Sequence, residues 1–140
     1  MNIPKLFEWL CKLSIALADI DEYLKGILGQ ILASYKILTE LNDGPDDLGV
    51  IKKELAKIRG LLQVISSKLG GKKYQSDHLV TLHKLSTYYI DTYDFTREIE
   101  ILAQIYYKDS SRLKNLRLLI INSLNDKRLI EKFQTILNEL

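Results

Sequence analysis

The residue types that support catalysis or metal binding are sparse in this sequence and poorly spaced. His78 and His83 are five residues apart, whereas a zinc-binding helix places two histidines four apart with a glutamate after the first. Cys11 is far from both histidines in the sequence and so lacks a nearby base to activate it. The segment 70–73, Gly-Gly-Lys-Lys, lacks the earlier glycine and the following hydroxyl residue of a phosphate-binding loop. We therefore predict a protein that is not an enzyme, with no catalytic residue, metal, cofactor or small-molecule substrate.

Composition limits the remaining classes of protein. Hydrophobic residues make up 46% of the 140 residues, which argues against intrinsic disorder and predicts one globular domain over residues 1–140. One cysteine excludes an internal disulfide, and a net charge of +2 argues against a chain dominated by nucleic-acid charge. The first ten residues lack the features of a secretory signal, and no apolar stretch is long enough to span a bilayer. We expect a cytoplasmic protein with no membrane partner.

The first element is a long helix over about residues 5–41. Its apolar residues recur at alternating spacings of four and three, interrupted only at Ser34, which places them in one seam along the helix. The seam residues are Leu6, Leu10, Leu13, Leu17, Ile20, Leu24, Ile27, Ile31, Leu38 and Leu41. The segment 42–45, Asn-Asp-Gly-Pro, ends the helix; we expect positive φ at Gly44 and a new helix beginning at Pro45.

A second seam predicts a helix over residues 46–69. Its members are Leu48, Ile51, Leu55, Ile58, Leu62, Ile65 and Leu69. The short connection between the two helices predicts a long antiparallel helical hairpin.

After a Gly-Lys loop at residues 70–75, three or four shorter helices over 76–140 are expected to complete an all-α bundle. Ser76 and Asp109 are in positions typical of helix N-caps, and the segment 76–106 is either one kinked helix or two. The helix after Asp109 is apolar on nearly every side and is expected to be central and buried. Arg112, Lys114 and Arg117 on that helix are expected to surround the core with their charged ends in water.

Charge is unevenly distributed along the chain. Residues 1–48 carry four basic and eight acidic residues, net −4, whereas residues 49–80 carry seven basic and two acidic residues, net +5. One interpretation is a solvated basic face that complements the acidic first helix. The alternative is a surface that contacts nucleic-acid phosphates, with an aromatic ring able to stack on a base. Its candidate residues are Lys53, Lys57, Lys68, Lys72, Lys73 and Tyr74.

The unequal lengths of the two hairpin helices predict an interaction surface. At 1.5 Å per residue the first helix is about 54 Å long and the second about 36 Å, so residues 6–18 extend beyond the second helix. That segment is apolar on more than its seam and needs a cover. The candidate partner-binding residues are Leu6, Phe7, Trp9, Leu10, Leu13, Ile15 and Leu17. We predict a helical interaction protein that forms homo-oligomers or docks on a protein partner in a larger complex.

Tyrosines concentrate in the second half of the chain, at helical spacings beside leucine and isoleucine. They are Tyr88, Tyr89, Tyr93, Tyr106 and Tyr107. Packing at the edge of the core is the first interpretation, and a stacking or partner surface is the second.

Overall fold

The computed structural model describes residues 3–70, 76–105 and 109–140, with side chains from residue 20 onward within those ranges. The described ranges hold six α-helices and no strand, which confirms the all-α fold. The helices are α1 Ile3–Glu40, α2 Asp47–Leu69, α3 Asp77–Thr92, α4 Thr96–Gln104, α5 Ser110–Asn125 and α6 Leu129–Glu139. A short 3-10 turn, Asp126–Arg128, joins α5 to α6.

The predicted hairpin of α1 and α2 is confirmed, and its seams form the centre of the core. All seven predicted seam residues of α2 are buried, as are Leu24, Ile27, Ile31 and Leu38 of α1. Every helix contributes to this core, including α4 through Ile99 and Leu102. Burial of the two seams, more than helix propensity, therefore holds the hairpin together.

Within the described residues four shorter α-helices follow the hairpin, where three or four were expected. The segment 76–106 contains two helices, because residues 93–95 leave the helical conformation. The Asp94 carboxylate accepts hydrogen bonds from the backbone N–H of Thr96 at 2.9 Å and from its hydroxyl at 2.6 Å, which favours a new helix start there. The Asp109 carboxylate accepts from the backbone N–H of Arg112 at 2.8 Å, so this N-cap is also confirmed.

The turn between α1 and α2 differs from the prediction. Asp43, not Gly44, has the positive φ, at 60°, and α2 begins at Asp47 rather than Pro45. Arg117 of α5 binds the Asp43 carboxylate through two hydrogen bonds of 2.7 and 3.1 Å, which compensates for the less favourable backbone conformation. The expectation that the charged end of Arg117 lies in water was therefore wrong, since its side chain is only 11% exposed.

Helix α5 is not buried on all sides, so that expectation was also wrong. Its core face carries Leu113, Leu116, Ile120 and Leu124. Leu118 and Leu119 lie on the opposite side and are 39% and 54% exposed. The helix packs at the edge of the bundle, where one face meets solvent.

Candidate interaction surfaces

Helix α2 ends beside the middle of α1. The Nζ atom of Lys68, the residue before the last of α2, lies 5.7 Å from the centre of the Tyr23 ring. Helix α1 begins at Ile3, so about 20 residues of helix, roughly 30 Å, lie N-terminal to that contact. This register agrees with the predicted difference in length between the two helices.

Helix α6 ends near the same level of α1. The Asn125 amide, just before the α5–α6 turn, donates a 2.9 Å hydrogen bond to the Tyr35 hydroxyl. Further along α6, Gln134 lines one crevice with Gly29, so α6 runs antiparallel to α1. Counting residues forward along α6 and backward along α1 from the contact between Asn125 and Tyr35 places Glu139, the last residue of α6, near Tyr23 as well. Among the described helices, the two that run along the middle of α1, α2 and α6, therefore end well before its N-terminus.

The predicted partner-binding residues are on the N-terminal part of α1. The backbone there is helical from Ile3, but their side chains lie outside the described part of the chain. These residues are Leu6, Phe7, Trp9, Leu10, Leu13, Ile15 and Leu17.

The described members of the predicted basic surface are on one side of α2. Lys53 and Lys57 are exposed, and neither has an ion pair or hydrogen bond within the described ranges. Lys68 is also exposed and lies over the Tyr23 ring of α1. Lys57 is four residues after Lys53 and Lys68 is eleven residues, about three turns, after Lys57, so the three side chains share one side of α2 and are called the basic strip below. Lys72, Lys73 and Tyr74 lie outside the described residues.

Glu54 is an acidic residue of this helix that the sequence analysis did not single out. It is 6% exposed, and its Oε2 atom has no hydrogen-bond donor among the described residues. The signal was its position directly before the seam residue Leu55, at the edge of the buried face. The only other acid of α2, Asp47, accepts a 2.9 Å hydrogen bond from the backbone N–H of Gly44. The exposed charged residues in the middle of α2 are therefore all basic.

Three tyrosines join the end of α3 to the α5–α6 turn. The hydroxyls of Tyr88 and Tyr93 each donate to Oδ2 of Asp126 at 2.6 Å. Tyr89 is buried, with its hydroxyl 2.8 Å from that of Ser123. These contacts support the core-edge interpretation for the described tyrosines; Tyr106 and Tyr107 lie outside the described residues.

The ionisation of this cluster follows from its hydrogen bonds. The hydrogen bond from the Tyr88 hydroxyl is the largest cause that lowers the pKa of Asp126, and the hydrogen bond from the Tyr93 hydroxyl is the second. The bond to Asp126 in turn raises the pKa of Tyr93, and burial adds to that effect. The cluster is thus a carboxylate held by two neutral phenols at neutral pH, which suits a structural contact.

Replacing Asp126 with asparagine is expected to lower stability at pH 7 and to reduce its loss on acidification. The pKa of Asp126 is lower in the folded chain than in the unfolded one. The ionised group therefore stabilises the fold above its unfolded pKa, and this contribution is lost as the pH falls through the folded pKa. Urea unfolding midpoints of both proteins from pH 7 to pH 2 measure the effect, and the difference should narrow progressively as the pH falls below about 4. The exposed Asp91→Asn change is the control, and a difference for Asp126→Asn that is the same at both extremes contradicts the prediction.

A groove of about 230 Å³ lies between α2 and α4. Leu55, Phe95 and Ile99 line its apolar part, and Lys52 and Glu100 are at its rim. This volume is below the roughly 300–1,000 Å³ of drug-sized ligand pockets, so the groove accommodates a side chain more readily than a metabolite.

The described residues include neither a membrane-spanning helix nor a metal-binding cluster. No helix there has the length and hydropathy needed to cross a membrane. No group of three or more histidine, cysteine, aspartate or glutamate side chains is positioned there to hold a metal ion. Comparisons of the chain with protein families, curated proteins and solved structures found no match.

Proposed function

We propose that this chain is a non-enzymatic helical interaction protein. It self-associates, or docks as a small subunit of a larger complex, through the N-terminal half of α1. The observation that carries the proposal is the position of Lys68 over Tyr23, with about 20 residues of helix preceding that level. A cytoplasmic location accords with this role, because the single cysteine needs no oxidising compartment.

The residue types in this part of α1 supply the driving force for association. Each large apolar side chain that moves from water into an interface contributes about 1.5–3 kcal/mol before the costs of association. Trp9 and Phe7 are the expected anchors, because aromatic residues concentrate binding energy at interfaces. Large exposed apolar surfaces on proteins are a recognised mark of interaction sites.

The test compares assemblies formed by the full-length chain in its native host. Tagged wild-type protein is isolated and its mass, with anything bound, is measured by light scattering and native mass spectrometry. A Phe7→Asp/Trp9→Asp variant is expected to lose the assembly. The control Leu119→Asp changes a residue that is 54% exposed elsewhere and should keep it. A monomeric wild type with nothing bound, or an assembly that survives the double substitution, overturns the proposal.

A second candidate function is nucleic-acid backbone binding by an accessory subunit of a nucleoprotein complex. The basic strip favours it, because Lys53 and Lys57 have no acidic partner within the described ranges and α2 offers no exposed acid near them. Lysine suits phosphate contacts more than base recognition. In this alternative Lys68, Lys72, Lys73 and Tyr74 extend the contact toward the loop after α2.

Salt dependence tests the alternative. Binding of a single-stranded oligonucleotide is measured over a salt series, and Lys53→Glu/Lys57→Glu is expected to weaken it and reduce the slope of log K against log salt by about 1.4. The control Lys114→Glu/Lys132→Glu makes the same charge change on α5 and α6. Absence of salt-sensitive binding, or equal losses in both variants, removes this function.

A further inference from the structure

The N-terminal seam of α1 is symmetric in both spacing and residue type. Read from either end, it runs isoleucine, four leucines, isoleucine, with spacings of three, four, three, four and three. Its members are Ile3, Leu6, Leu10, Leu13, Leu17 and Ile20. A seam of this kind is self-complementary under a two-fold axis between residues 11 and 12, which is the requirement for an isologous interface.

The described contacts show where the bundle takes over this seam. Leu24 is 1% exposed within the core, whereas Ile20 is only partly buried. The contact between Lys68 and Tyr23 marks the end of α2 between these two positions. The symmetric stretch 3–20 therefore coincides with the part of α1 that precedes the bundle.

We infer that the partner of this surface is a second copy of the chain, paired antiparallel along residues 3–20. This inference rests on the proposed function and names the occupant of the same surface. Leu6 meets Leu17 of the second copy, Leu10 meets Leu13, and Ile3 meets Ile20. The two bundles then lie at opposite ends of the paired helices, where neither obstructs the other.

The residues beside the seam favour the same direction of pairing. With the axis between residues 11 and 12, Trp9 is level with Ser14 of the second copy, so a large side chain meets a small one. Lys5 is level with Ala18, so the Lys5 side chains of the two copies stay apart. A parallel pair instead places Trp9 against Trp9 and Lys5 against Lys5. Charge and size together select the antiparallel form.

The contact is small, so the dimer is expected to dissociate on dilution. The six seam residues and the four that flank them, roughly ten per copy, take part, against the 20–30 residues on each side of a standard stable interface. Every seam position is apolar, so pairing the seams of two copies buries no polar seam residue.

The first measurement is the mass of the purified wild-type chain across a wide concentration range. We expect twice the chain mass of 16.2 kDa, falling to the single mass on dilution. The Phe7→Asp/Trp9→Asp variant should stay at the single mass and Leu119→Asp should dimerise. A wild type that is monomeric at every concentration overturns the inference, and the host assembly then decides separately whether the proposed function holds with another partner.

The second measurement determines direction. In a Cys11→Ser background, Leu6→Cys and Leu17→Cys proteins are made separately, mixed and oxidised. Antiparallel pairing gives the mixed disulfide, since like positions are then about 16 Å apart along the axis, beyond the roughly 7 Å limit between Cα atoms. Circular dichroism confirms that both variants remain helical. A dimer that forms Leu6→Cys homodisulfides, or one that forms no disulfide in the mixture, overturns the antiparallel arrangement.

Discussion

Replacing Arg117 with alanine is expected to lower the free energy of unfolding by about 3–5 kcal/mol, the range for removing one partner of a buried ion pair. Its guanidinium binds both carboxylate oxygens of Asp43 and also donates to the backbone carbonyl of Leu38 at 3.2 Å. Both charged side chains are only 11% exposed. The substitution therefore leaves the Asp43 carboxylate without its donors and detaches α5 from the end of α1.

Urea denaturation measures this loss, and two variants identify its cause. Arg112→Ala removes an arginine from the same helix whose side chain is 57% exposed, and it should cost less than about 1 kcal/mol. Arg117→Met/Asp43→Asn removes both charges and should be less destabilising than Arg117→Ala, because no charge remains unpaired. A loss below 1 kcal/mol for Arg117→Ala contradicts the structural role.

The hairpin could be predicted from the sequence because its determinants are local. Alternating apolar spacing fixes one face of each helix, and a Gly-Pro turn fixes the break between them. The observed bounds, Ile3–Glu40 and Asp47–Leu69, fall within two residues of those expected. The split between α3 and α4 was harder, since it depends on a local turn in which the Asp94 carboxylate accepts hydrogen bonds from Thr96.

Features that depend on contacts distant in sequence could not be predicted in the same way. Nothing near Asp43 indicates that an arginine 74 residues later binds its carboxylate and supports its positive φ. The apolar residues of α5 indicated burial on all sides, yet the position of this helix at the edge of the bundle leaves Leu118 and Leu119 in water. Tertiary position decides which side of such a helix meets solvent.

The candidate interaction surfaces also include features that local sequence predicts and features that depend on tertiary packing. The basic strip was visible in the sequence because exposed lysines at helical spacing need no knowledge of the rest of the fold. The apolar N-terminal seam was visible for the same reason. Glu54 was not singled out, because a glutamate beside a seam lies equally well in water or in the core, and only the packing of the folded bundle decides between them.

Replacing Glu54 with leucine is expected to raise the free energy of unfolding by about 1–3 kcal/mol, the usual cost of a buried polar group without a partner. The side chain is 6% exposed, and its Oε2 atom has no donor among the described residues. Leucine is apolar and needs no hydrogen-bond donor. It also extends the buried face formed by Leu55 and Ile58. Glu54→Gln keeps the shape and a polar end, so it should recover less.

Thermal and urea unfolding of the three proteins measure this gain, with Lys53→Leu as the matched control. That change adds the same apolar side chain one residue earlier, at an exposed position of α2, where it should alter stability by no more than about 0.5 kcal/mol. The difference between the two leucine variants isolates the burial of the carboxylate from any effect of leucine on helix propensity. A Glu54→Leu protein that is less stable than the wild type contradicts the argument, because it shows that the carboxylate contributes an attraction that outweighs its burial.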